Sequence, residues 1–99
     1  VEGAIVMALS AALAEEITVK EGRVVETGYG SYPILPIGLS PEIVVRVLDT
    51  PGAPVGGVGE LAVPPTAPAA ANAVHAATGL RVRALPLWKD PQVKWHGAP

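Results

Sequence analysis

A chain of 99 residues, 49% apolar and only 16% charged, with net charge −2 and no cysteine, makes one domain at most, with a modest core. The near-neutral charge gives no electrostatic ground for a nucleic acid or an anionic membrane as partner. The missing cysteines exclude disulfides, thiolate metal sites and a Cys nucleophile. Charge this sparse, against roughly 25% in an ordinary soluble domain, predicts that part of the surface meets another protein, a second copy of the chain included.

In chain order, Val1 to Ala14 is a predicted helix with Ile5, Val6, Met7, Leu9 and Leu13 on different faces. Such a helix is expected to be buried on most sides, by neighbours that so short a chain does not contain. Its apolar run, from Gly3 to Ala14, falls short of the roughly 20 residues that span a membrane. Glu2 stands where a signal peptide would carry basic residues, so the default compartment is the cytoplasm, with the periplasm as the alternative. A first residue of Val rather than Met predicts a processed product or a piece of something longer.

Ile17 and Val19 then alternate with Thr18 and Lys20, and Glu21-Gly22 supplies a turn before Val24, which predicts a β-hairpin. From Tyr29 to Pro41 the glycines and prolines exclude a long regular element. Glu42 to Asp49 has the best strand pattern, with Ile43, Val45 and Val47 on one face and Val44, Arg46 and Leu48 on the other. Apolar character on both faces predicts a central place in a sheet. Pro64-Pro65 predicts a helix from Thr66 or Ala67 to Thr78, ended by Gly79 in the left-handed conformation. Leu80 to Leu85 reads as a short strand, and Trp88 to Pro99 as an extended or disordered tail. The expected class is α+β: two helices packed on a small mixed sheet over residues 1–87, in the order helix, hairpin, strand, glycine-rich loop, helix, strand.

The glycine-rich loop, Pro54 to Pro65, holds three glycines, three prolines and one charge, Glu60. A lone carboxylate on a stiff apolar loop is a candidate general base, because desolvation strengthens a carboxylate as a proton acceptor. The same residues also read as a surface turn with one solvated acid. Gly57-Val58-Gly59-Glu60-Leu61-Ala62 fits a loose dinucleotide pattern. However, Pro64-Pro65 falls where the phosphate-binding helix should run, and no ribose-binding acid follows. Ser10, Ser31 and Ser40 lack the context of a nucleophile. His75 and His96 are too few and too far apart for zinc, and His75 reads as a packing residue. Arg81 and Arg83 read as a solvated strand face, with an anion site as the alternative.

Taken together, these residues resemble a known family. Val1-Glu2-Gly3-Ala4-Ile5-Val6-Met7 with Leu9-Ser10-Ala11-Ala12-Leu13, Glu16-Ile17-Thr18-Val19, Gly22-Arg23-Val24-Val25, Tyr32-Pro33-Ile34-Leu35 and Gly56-Gly57-Val58-Gly59-Glu60 occur in this order. Ala71-Asn72-Ala73 and Ala76-Ala77-Thr78-Gly79 follow them. The series is similar to the C-terminal segment of the molybdopterin-binding large subunit in the xanthine dehydrogenase/aldehyde oxidase family. It is nearest the branch of isoquinoline 1-oxidoreductase and bacterial aldehyde dehydrogenases. The resemblance covers residues 1 to about 87, with Leu61 where many members have Pro.

The resemblance implies that Glu60 is the general base, taking a proton from a hydroxyl on molybdenum during water-dependent hydroxylation of an aldehyde or N-heterocycle. It also implies that the backbone at Gly57 and Gly59 approaches the molybdopterin cofactor, and that no metal ligand comes from this chain. Family subunits are several times longer, so the chain is expected to be a fragment without turnover of its own. Its expected partners are the remaining large-subunit segments, with iron–sulfur and flavin subunits downstream. The alternative is a non-catalytic interaction or assembly module, a degenerate remnant that keeps the fold.

Overall fold

The structure, a computed structural model, describes residues 1–96. Helix α1 spans Glu2–Leu13, strands β1 (Val19–Lys20) and β2 (Arg23–Val24) form an antiparallel hairpin, and helix α2 spans Val63–Thr78. Short 3₁₀ turns occupy Ile37–Leu39 and Leu87–Lys89. The class is α+β, as expected from the sequence. No helix among the described residues is long and apolar enough to cross a membrane.

α1 forms because it is rich in alanine and leucine, with Glu2 in the first turn where the helix dipole favours an acid. The side chains it buries are the small ones. Ala4, Ala8 and Ala12 recur every fourth residue on one stripe of α1, and α1 packs against α2. Ala12 is 1% exposed, whereas Met7 on another face is 71% exposed. Within this chain α1 is thus covered on only part of its surface, and the expectation of burial on most sides concerned neighbours that the chain does not contain.

α2 starts at Val63, three residues or more earlier than the prolines predict. Pro64 and Pro65 fall in the first turn, where backbone N–H groups have no intrahelical acceptor and their loss costs nothing. The helix ends as expected: Gly79 takes φ +76° and donates its N–H to the His75 carbonyl at 2.8 Å.

Between and after the helices, polar ties hold the chain to α1. Ser10 is buried, and its Oγ accepts a hydrogen bond from the Leu35 N–H at 2.9 Å. The Tyr32 hydroxyl donates to Glu15 at 2.7 Å, and this acceptor holds the phenol above its ordinary pKa. Glu26 accepts from the Thr18 hydroxyl at 2.6 Å and the Thr18 N–H at 2.7 Å, closing the hairpin. Leu87, 1% exposed, is the largest fully buried side chain and packs near α1.

Two expected strands do not form, and the sheet is the antiparallel hairpin alone rather than a mixed sheet. Residues 42–49 and 80–85 have no ladder partner among the described residues, and a strand is defined by its partner. Part of the expected tail is folded back instead. Lys89 pairs with Glu16, and the Trp95 indole N–H donates to the Leu87 carbonyl at 3.1 Å. Residues 97–99 of that segment lie outside the described residues.

Candidate functional site

The glycine-rich loop leads straight into α2. Upstream, Gly52 at φ +80° makes a turn in which the Ala53 N–H donates to the Thr50 carbonyl at 3.1 Å. From Pro54 to Gly59 no backbone group is hydrogen-bonded among the described residues. The Glu60 carbonyl then accepts from the Val63 N–H at 3.0 Å, which fixes the loop to the first turn of α2. A Cβ added at Gly56, Gly57 or Gly59 would meet nothing within 4 Å, so these glycines leave an open approach to the backbone.

Glu60 is exposed, and its carboxylate has no hydrogen-bond or salt-bridge partner among the described residues. Every residue from 46 to 61 is exposed as well. The loop therefore displays its acid as the sequence predicts, but its own chain does not desolvate it. An apolar groove of about 430 Å³ runs between the two helices. Ile5 and Leu9 of α1 form one wall, and Ala62, Pro65, Ala69 and Ala73 form the other. The groove wall includes Ala62, two residues beyond Glu60 in the chain. An exposed carboxylate on this loop can accept a proton from a group that another surface brings to it.

The remaining candidates lie elsewhere. His75 is half-buried on α2 with Nδ1 3.3 Å from the Leu80 carbonyl oxygen, the packing role that the sequence suggested. Arg81 donates to Asn72 at 3.1 Å, and His96 is exposed near the end of the described chain. Among the described residues no group of three His, Cys, Asp or Glu side chains could hold a metal ion. Sequence reasoning missed the groove and the Ser10 tie. The four-residue spacing of Ile5 and Leu9 was the available signal for the groove. Nothing local announced that Ser10 would meet Leu35.

The sequence is 38% identical over 87 residues to a nicotinate dehydrogenase subunit from Pseudomonas putida, a match covering 88% of this chain and 7% of that protein. It is 37% identical over 86 residues to the beta subunit of isoquinoline 1-oxidoreductase from Brevundimonas diminuta, covering 87% of this chain and 11% of that protein. The chain thus spans about a tenth of the length of the curated relatives it matches. No family model matches it, and no solved structure matches it significantly. Both relatives are named as oxidoreductase subunits, and the similarity relates this chain to such subunits.

Proposed function

We propose that the chain is a segment of the molybdopterin-binding subunit of a molybdenum hydroxylase in the xanthine dehydrogenase/aldehyde oxidase family, with Glu60 as the general base. The observation that carries this reading is the match to two oxidoreductase subunits over nearly the whole chain. A match to 88% of the residues leaves too few at either end to omit Gly57 to Glu60.

The residues present suit a supporting place beside such a cofactor. Gly57 and Gly59 keep their backbone groups free and unobstructed, which suits close approach of a polar group. Glu60 is an unpartnered carboxylate, free to accept a proton. With no cluster of three metal-binding side chains among the described residues, the metal centre would be held by other segments. The cofactor, when bound by the assembled enzyme, supplies the redox capacity for adding an oxygen from water to an aldehyde or N-heterocycle. The part of this chain is to take the proton from the attacking oxygen at the Glu60 carboxylate. A covering surface from another segment excludes water from that carboxylate, and desolvation there strengthens the base. Its partners in this reading are the remaining large-subunit segments, then iron–sulfur and flavin proteins, and the chain alone has no turnover.

Glu60→Gln in the assembled enzyme tests the assignment. Loss of a positioned general base lowers the rate by about 10²–10⁴-fold, and molybdenum content should stay unchanged. Turnover that survives the substitution puts the base elsewhere. The exposure of every residue from 46 to 61 favours a second reading, an assembly module without a catalytic part. Under that reading the co-purified complex contains no molybdenum.

A further inference from the structure

The segment Glu42 to Asp49 has a strand's sequence and no strand's partner. No backbone N–H or C=O from 41 to 49 is hydrogen-bonded among the described residues, so these groups face water as an open template for pairing. Ile43 and Val45 are half-buried, and Val45 lies beside Val1, Glu2 and Gly3 at the start of α1. On the other side Val44 and Leu48 are 76% and 85% exposed, and Val47, at the far end of the first face, is 86% exposed. One face thus leans on the chain's own helix at Val45, while the other, with Val44, Arg46 and Leu48, is bare.

The whole molecule shows the same incompleteness. It exposes 7562 Å², where a compact monomer of 10.1 kDa exposes about 5,300 Å². Its radius of gyration is 16.1 Å, against about 13 Å for a compact chain of this length. The excess surface, roughly 2,000 Å², is more than twice the ~800 Å² per partner of a standard interface. Such an area suits continuity with a larger body.

We infer that residues 42–49 become a β-strand by adding to an open sheet edge in the remaining segments of the larger subunit, and that this pairing seats the loop carrying Glu60. The inference rests on the proposed place of the chain in a larger subunit, whose matched relatives are about ten times its length. A second copy is the poorer occupant. Antiparallel self-pairing about the centre of the segment sets Glu42 opposite Asp49, and parallel self-pairing stacks Arg46 on Arg46. Like charges directly opposite one another are destabilising. A foreign edge carries no such constraint, and its main-chain bonds satisfy the bare N–H and C=O groups.

The test is hydrogen exchange on the full chain, alone and in complex with the co-expressed remaining subunit segments. The amides of 43–48 should exchange freely in the isolated chain and slow by at least about tenfold in the complex. Proline removes the ladder donor. Val44→Pro and Val45→Pro together probe both edges, and at least one should weaken assembly about tenfold, the equivalent of one ladder hydrogen bond. Val44→Thr, which keeps the donor and a β-branched side chain, should not. Val44→Pro should leave the far-ultraviolet circular dichroism of the isolated chain unchanged, since that residue is bare.

Unprotected 43–48 amides in an active complex overturn the inference while the proposed function stands. Assembly unaffected by either proline also overturns it. Protection that appears in the isolated chain and rises with its concentration overturns it in favour of a second copy. If no complex forms with the remaining segments, both the inference and the proposed function fail. Protection together with full turnover of Glu60→Gln retains the strand and removes the base.

Discussion

The two-helix body and the arm from 42 to 61 are built from equally apolar sequence, yet they fold by different rules. In the body, α1 buries Ala4, Ala8 and Ala12 and packs against the alanine-rich α2, and Ser10 and Leu87 pin the flanking segments to α1. In the arm, Val44, Val47, Leu48, Val55, Val58 and Leu61 all remain exposed. Hydrophobicity alone does not bury a residue. A helix satisfies its own backbone and needs only a neighbour for one stripe, whereas a strand needs a partner for every peptide group.

The sharpest way to break this comparison is to empty the body. Leu87 fills the largest buried position, so Leu87→Ala should destabilise the isolated chain by about 2–5 kcal/mol, read as a lower midpoint in urea denaturation. In a domain this small that loss removes most of the cooperative transition. A variant with an unchanged midpoint would show that the body, like the arm, is unsupported without a partner.

The same contrast explains what could be read from the sequence. Both helices, the Glu21-Gly22 turn and the Gly79 stop were legible because their causes are local: helix formers, turn glycines and a left-handed cap. The strands at 42–49 and 80–85 carried correct alternation but no information about a partner, and no partner lies among the described residues. The first turn of α2 was misjudged because two prolines read as punctuation when they serve as the helix start. For the candidate site, the sequence pointed to a single acid on a glycine- and proline-rich loop, and Glu60 is exposed there. The groove was not legible, since it depends on the crossing of two distant helices.

Paired glycine substitutions sharpen the contrast at a smaller scale. Gly79 sits at φ +76°, where an added Cβ is strained, so Gly79→Ala should cost about 1 kcal/mol in the same denaturation experiment. Gly57 has no such φ and open space around it, so Gly57→Ala should shift the isolated chain by less than about 0.5 kcal/mol. Equal effects at the two sites would mean that the loop is as strictly shaped as the helix end.

The smallest expected effect is a pH dependence confined to the hairpin. The Thr18 hydroxyl, and then the Thr18 N–H, donate to the Glu26 carboxylate and hold its pKa below the ordinary glutamate value. A depressed carboxylate binds fewer protons in the folded state than in the unfolded one. Its contribution is therefore present above the unfolded value of about 4.3, and it is lost as pH falls through the lower folded value. The Thr18 amide resonance should accordingly move with a midpoint below that of a free glutamate. In Thr18→Val, which keeps the N–H and removes the hydroxyl, the midpoint should rise part of the way back. No donor of this kind ties down Glu60, so this response to acid should be confined to the hairpin. Loss of α2 resonances over the same pH range would show instead that the hairpin and the helices unfold together, and would extend the body to include residues 18–26.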